Sequence, residues 1–585
     1  MRKHLLTLAA VLVAAPLASG ESIDEKRYVG HVKFLASPAL RGRGTGSPEL
    51  AKAAAYLEGE FRKLGLKPPG RWRQTLTVTV NAKPGPASRV ALNGAPLDPK
   101  DFALFNFSGT GEAAGAAVFA GYGITAGELN YDDYAGIDVK DKIAVVLKNE
   151  PQMNDDTSVF AGKLLTAHAQ FANKAANAKL HGARALVVIS EDELEPFGRA
   201  AGAADARIPC VIVKASAFEK AFRDAGRPLG EIIAGIDRDL APRSFAFPED
   251  LKLSVKTEVI RESRPTDNVM AYLAGETSEY VVIGAHYDHL GLGYQSSLAP
   301  DKAGTPHPGA DDNASGAAGL LELARYFARQ PKQKRGILFL AFTGEELGLL
   351  GSAWYVKNPA LPLKDCVAML NLDMIGRPRE GRLFVGGVGT GSTLGRILDE
   401  AKARSSLKVD VSQIGGIGSS DHTSFTTQQV PVLFFFSGLH GDYHKPSDTW
   451  DKIDGPNAVK VLELVADIAT RLRTAEDRPV FIRVAEPPQR SGAGGRGYGP
   501  VFGSIPDFNE PPKGVRFADV REGTPAAKAG LKAGDILIGW DGAEIANLQD
   551  FTTALRSRKP GDVVKVKILR GAETLEIPVT LEARR

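Results

Sequence analysis

The chain has 585 residues, 43% of them hydrophobic and 24% charged, with a formal net charge of +3. That length exceeds what one hydrophobic core organises, so several domains are expected. Near-neutral charge excludes nucleic acid or an anionic membrane surface as the partner that composition would select. Only Cys210 and Cys366 are present, which excludes a disulfide scaffold and a cysteine-rich zinc site.

The chain opens "MRKHLLTLAAVLVAAPLASGES". Arg2 and Lys3 form a basic start, residues 5–15 an apolar run too short to span a bilayer, and Ala18 and Gly20 a small-residue end. This pattern predicts a signal peptide over residues 1–20 and an exported protein, periplasmic or secreted. No cysteine follows the run and no later run is long enough to span, so no stable membrane anchor is expected. Residues 51–64 have helical periodicity and end at "GLKPPG"; "QTLTVTV" alternates like a strand. From about residue 113 to 236 strands ("AAVFAGYGI", "KIAVVL", "ARALVVIS", "IPCVIVKAS") mix with helices, and few groups able to do chemistry cluster there.

From about 251 to 473 the pattern becomes strand, loop, helix, repeated. The strands "YVVIGA", "GILFLAF", "CVAMLNL", "RLFVGG" and "VPVLFFF" are nearly continuous apolar runs alternating with helices. That predicts an α/β fold with a mostly parallel sheet covered by helices on both faces. "RSGAGGRGYG" reads as a linker, and a β-rich domain follows from about residue 500.

Charged residues collect where the strands of the third segment stop. "VVIGAHYDHLG" places His286 at a strand end, "GADDNASG" places Asp312 before a helix, and "LAFTGEELG" supplies Glu345 and Glu346. "AMLNLDMIG" supplies Asp373 and "HGDYHKPSDTWD" supplies His444. In open α/β sheets sites form at the carboxyl ends of strands. Two histidines and four carboxylates converging there would repel without a cation. Imidazole plus carboxylate is a ligand set for zinc, with manganese or cobalt as lesser options.

These ordered motifs resemble the di-zinc exopeptidases of the aminopeptidase S, bacterial leucyl aminopeptidase and glutamate carboxypeptidase II type. The resemblance implies that His286 and Asp373 bind one zinc, Glu346 and His444 the other, and that Asp312 bridges them; Co2+ or Mn2+ would substitute. It implies Glu345 as general base, taking a proton from the attacking water and passing it to the leaving amine. Asp288 would accept a hydrogen bond from the second nitrogen of His286. Tyr443 would polarise the scissile carbonyl. The Asp312–Asn313 bond falls where the family often has a cis peptide. "VFAGYGI", "DYAGIDVKDKIAVVL" and "KLHGARALVVIS" resemble a protease-associated (PA) domain, and "REGTPAAKAGLKAGDILIGWDGAEI" resembles a PDZ domain. In the latter, Phe502, Gly503 and Ser504 would form a loop able to hold a peptide carboxylate.

The implied organisation is a signal peptide (1–20), a discontinuous catalytic domain (21–110 and 245–475), a PA insert (111–244), a linker (476–498) and a PDZ domain (499–585). The implied function is an exported zinc aminopeptidase acting on peptides with a free N-terminus, with a peptide C-terminus as the PDZ ligand. The alternatives are a carboxypeptidase or dipeptidase of the glutamate carboxypeptidase type, with Arg377 and Arg379 holding a substrate carboxylate, and a catalytically inactive binding relative. His289, His307, His422 and His440 read as structural, Asp311 as a turn or cap residue, Asp421 as support, and Asp448 as orienting the His444 loop. "RGRGTG" and "GGVGTG" read as turns.

Overall fold

The computed structural model describes residues 22–163, 165–191, 194, 205–411, 414–484, 500–507, 511 and 513–583. The segment read as a signal peptide and the glycine-rich linker at 490–499 lie outside them. Eight strands form the first sheet: β1 (Arg73–Pro84), β2 (Val259–Leu273), β3 (Tyr280–His286), β4 (Gly336–Phe342), β5 (Cys366–Leu372), β6 (Arg382–Gly386), β7 (Lys408–Asp410) and β8 (Val432–Phe436). Their order is β1-β2-β4-β3-β5-β8-β6-β7. The central strands β4, β3, β5 and β8 are parallel, β1 and β2 form an antiparallel ribbon on one side, and β6 runs antiparallel to β8.

Every residue of β3, β4 and β5 is buried. Side chains alternate across a strand, so both faces must be covered. Val281, Ile283 and Ala285 pack into a core with helices Glu25–Leu35, Pro48–Lys63, Gly316–Ala328 and Gly455–Thr474, while Tyr280 and Val282 face Tyr355, Val356 and Phe425 on the other side. The mixed α/β architecture expected from the apolar runs is present, with antiparallel additions at the edges.

The second sheet is larger than the predicted insert. Its parallel strands Gly111–Phe119, Ile143–Leu147, Ala185–Ser190 and Cys210–Lys214 fall on predicted segments. Strand Lys252–Thr257 pairs on one side with Gly111–Phe119 and on the other with Arg89–Leu92; Phe102–Leu104 and Phe245–Ala246 also join this sheet. The structural insert therefore starts near residue 89 and ends near 257, not at 111 and 244. Long-range pairing decides this boundary, and the predicted one followed only a local change in pattern.

The C-terminal domain is a β-structure of Ser504–Pro506, Val515–Val520, Ile536–Trp540, Val563–Arg570 and Glu573–Thr580 with helix Leu548–Arg556. That helix packs on insert helix Phe171–Leu180. Lys179 pairs with Asp550, and Asn173 accepts from Gln549 and Thr553. Asp507 reaches the catalytic domain at Lys357 (2.7 Å). Cys210 and Cys366 are both buried and free, as their separation into different domains anticipates. Among the described residues no helix is long and apolar enough to cross a membrane.

Candidate metal centre

Register explains why distant residues meet. Gly284 pairs with Asn371, so two residues further on His286 stands abreast of Asp373. His286 pairs with Phe342, which puts Glu345 three residues past the end of β4. Asp312 enters from the turn before Gly316–Ala328, and its bond to Asn313 is cis. Asn313 ties that turn to the end of β5, donating to Leu372 O at 2.9 Å and accepting from Met374 N at 3.1 Å.

The five residues expected as ligands converge. His286 Nε2 lies 3.4 Å from Asp312 Oδ1 and 3.4 Å from Asp373 Oδ1. His444 Nε2 lies 3.3 Å from Asp312 Oδ2 and 3.2 Å from Glu346 Oε2. Donors held at roughly 2.0–2.1 Å around a tetrahedral ion are about 3.3 Å apart. The four separations match that edge length, and the two oxygens of Asp312 point to different groups. The residues present therefore fit two divalent ions sharing one carboxylate. Both imidazoles have their second nitrogen engaged by a main-chain carbonyl: His286 Nδ1 by Asp288 O (3.2 Å) and His444 Nδ1 by Ser296 O (2.8 Å). Each Nδ1 donates, so each Nε2 is the nitrogen turned to the carboxylates.

The electrostatics point the same way. Burial opposes a charged His444, yet its bonds to Asp312 and Glu346 hold the imidazolium up to about 10. Burial pushes Asp312 upward, but His289, His286 and His444 outweigh it and keep the carboxylate well below its ordinary range. The pocket draws positive charge to itself. Glu345 differs: burial raises it strongly, Glu346, Asp373 and Asp421 add to the rise, and His286 opposes it. Its Oε2 is 3.9 Å from His286 Nε2. Tyr443 stacks on His444 at 3.9 Å between centroids, and burial beside four carboxylates drives its phenol upward, keeping it a donor.

Several supporting residues differ from expectation. The contact to His286 comes from the main chain of Asp288; its carboxylate, 3.8 Å away, instead accepts from Thr45 Oγ1 (2.7 Å) and Glu345 N (3.2 Å). The Asp448 carboxylate accepts from the main-chain N–H of Asp311 (3.0 Å) and Asp312 (3.1 Å), so it ties the loop that carries His444 to the turn that carries Asp312. Asp311 accepts from Gly376 N (2.7 Å) and faces His440 Nε2 (3.2 Å). Asp421 is fully buried and makes no helix-capping bond; burial pushes it up to about 7. Arg377 donates to Asp442 (2.9 Å) and His440 Nδ1 (3.2 Å), which engages the cation considered for a substrate carboxylate. His307 bonds Thr305 O and Ser297, and His422 stacks on Phe434; both are structural.

Arg43 was missed. Read as part of a turn, it is fully buried and donates to Tyr287 O (2.9 Å), Leu35 O (2.5 Å), Pro308 O (2.7 Å) and Gly309 O (2.9 Å). It thereby clamps the strand end carrying His286 to the turn carrying Asp312. Gly42 beside it has φ +77, and a Cβ there would stand 2.3 Å from Gly291 O. An arginine between glycines was the available signal, but a sequence does not show burial.

In the C-terminal domain Phe502 is a core residue packed on Trp540 and Phe551. Gly503 has φ +100, and a Cβ there would meet Thr524 at 2.2 Å. Ser504 begins an edge strand that, among the described residues, pairs with Val515–Val520 alone. Its open side borders a cavity of about 640 Å³ reached by Phe551, Leu555 and Arg521, and by Thr390 and Ile417 of the catalytic domain.

The model of peptidase family M28 matches residues 268–469, that of the PA domain residues 109–221, and that of the PDZ domain residues 489–581. The uncharacterized protein YfbL of Escherichia coli (strain K12) is 31% identical over 241 residues, covering 36% of this chain and 71% of that protein. A probable leucine aminopeptidase of Arthroderma otae is 29% identical over 241 residues, covering 38% of this chain and 61% of its own length. This chain thus spans about three fifths of that relative. A solved aminopeptidase from Aneurinibacillus sp. strain AM-1 is 23% identical with TM-score 0.49, covering 80% of this chain and 96% of that one.

Proposed function

This chain belongs to peptidase family M28, and on that premise we propose that it is an exported aminopeptidase that hydrolyses N-terminal residues from peptides. The observation that carries the reading is the set of four donor separations at 3.2–3.4 Å from His286 and His444, two of them to the two oxygens of Asp312. His286, Asp373 and one oxygen of Asp312 would hold one ion; Glu346, His444 and the other oxygen would hold a second. Two zinc ions there, with cobalt or manganese as substitutes, would supply Lewis acidity and acidify a water near neutral pH.

The chain's own residues do the rest. Glu345, whose carboxyl burial makes avid for a proton, takes one from the attacking water and passes it to the leaving amine. Tyr443, kept protonated, donates to the scissile carbonyl oxygen. Arg377 is spent on Asp442, which favours recognition of a free amine over recognition of a substrate carboxylate beside Asp373. The open edge at Ser504 would take a peptide C-terminus as an added strand.

The test is a panel of aminoacyl p-nitroanilides and an N-blocked dipeptide, with zinc content measured in parallel. Cleavage of free-amine substrates alone, abolished by a chelator and restored by zinc or cobalt, is the expected result. Cleavage of the blocked dipeptide instead would make it a carboxypeptidase or dipeptidase, and absence of bound zinc and of turnover would make it a binding protein. Detection of mature protein lacking residues 1–20 outside the cytoplasm tests export.

A further inference from the structure

His289 stands one contact away from the ligand group. Its Nδ1 lies 2.6 Å from Glu346 Oε1 and 3.8 Å from Asp312 Oδ2. The first distance is that of a charge-assisted hydrogen bond. It is shorter than the spacing of about 3.3 Å between donors that share a tetrahedral zinc. On that distance His289 is a neighbour of the centre and not a sixth ligand, although its ring nitrogen groups with Asp312 and Glu346 closely enough for the three to hold an ion.

The bond also fixes which ring nitrogen donates. An ionised carboxylate only accepts, so Nδ1 carries a hydrogen and donates it to Glu346 Oε1. Nε2 is buried and has no hydrogen-bond partner in the structure, and the ring borders a cavity of about 370 Å³ shared with Glu346 and Gln295. The backbone holds the ring in place: His289 N donates to Arg43 O at 3.1 Å. The two oxygens of Glu346 are therefore divided. Oε1 is taken by His289, and Oε2 is turned to His444 at 3.2 Å.

We infer that His289 is a positioning residue for Glu346: by donating to Oε1 it confines that carboxylate to ligation through Oε2 alone, and so sets the affinity of one of the two ions. The inference rests on the reading of Asp312, Glu346 and His444 as one ligand group. It is specific to that group, since His286 makes its contact on the other oxygen of Asp312 and Asp373 makes its contact with His286.

The experiment is a zinc titration of metal-stripped protein against a chelating indicator, for wild type, His289→Ala, His289→Asn and His289→Gln. Asparagine can place an amide N–H near the position of Nδ1; glutamine places it near Nε2. His289→Ala and His289→Gln are expected to lose roughly 10–100-fold in affinity for one ion and nothing for the other, with His289→Asn within about threefold of wild type. Thermal unfolding of the metal-free proteins reports folding, and if the alanine variant does not fold, the Asn and Gln pair decides. Equal behaviour of Asn and Gln, or wild-type affinity in the alanine variant, would overturn the role of His289 while leaving the two-ion reading intact. A wild-type protein that takes up no zinc would overturn both.

Discussion

Glu345 and Glu346 are adjacent in the chain and opposite in proton affinity. Burial raises both, but Glu346 is drawn below its ordinary value by His289 and His444, whereas Glu345 has only His286 against three carboxylates. Environments that push neighbouring acids apart separate a ligand from a proton carrier. Glu345→Gln keeps the shape and removes the proton acceptor, so zinc content should match wild type while kcat falls about 10²–10⁴-fold. Steady-state kinetics with metal analysis on one preparation checks this. A second expectation concerns His444 in metal-free protein, where its folded value of about 10 exceeds an unfolded value of about 6.5. A raised folded value gives a contribution fully present below pH about 6.5 and lost as pH rises through about 10. Denaturant unfolding across that window should show wild type losing its advantage over His444→Gln. Zinc uptake has the reverse dependence, because protons compete for the same nitrogens and affinity falls as pH falls.

At the scale of elements, the centre depends on loops held by buried polar groups. Arg43 supplies donors to four main-chain carbonyls from three separate segments. Removing it leaves those acceptors buried and unpaired, so Arg43→Ala should be destabilising, at about 1–3 kcal/mol for each carbonyl that finds no new donor. Urea unfolding would measure the loss, and weaker zinc binding should accompany it because the clamp joins the His286 and Asp312 segments. Most helices and strands here were legible in the sequence. Helix Gly455–Thr474 and the apolar strands β3, β4 and β5 follow directly from periodicity and composition. Arg43 was not legible, since three of the four groups it satisfies come from residues 244 or more positions away.

Across the whole molecule, the terminal domain is bound to both other parts. Its helix Leu548–Arg556 forms one wall of the cavity beside Ser504 and also packs on the insert. Asp550 is buried, which raises its carboxyl, and Lys179 is the cation that offsets this. Lys179→Met removes the cation and leaves the acid, so the contact should weaken by about 3–5 kcal/mol. Small-angle scattering should then report a larger radius of gyration. An unchanged profile would mean that Lys357–Asp507 and Arg483–Asp519 suffice to hold the domain.

The sequence by itself determined the α/β layering, the ordered strand-end motifs and the kinds of ligand atom available, because burial periodicity and residue chemistry are local properties. It could not determine that the insert begins near residue 89, that Asp448 bonds the turn carrying Asp312, that the main chain of Asp288 orients His286, or that His289 touches Glu346. Those depend on which segments lie side by side after the sheets pair. Hydrogen bonds form within about 3 Å, and only the tertiary structure brings residues hundreds of positions apart to that range.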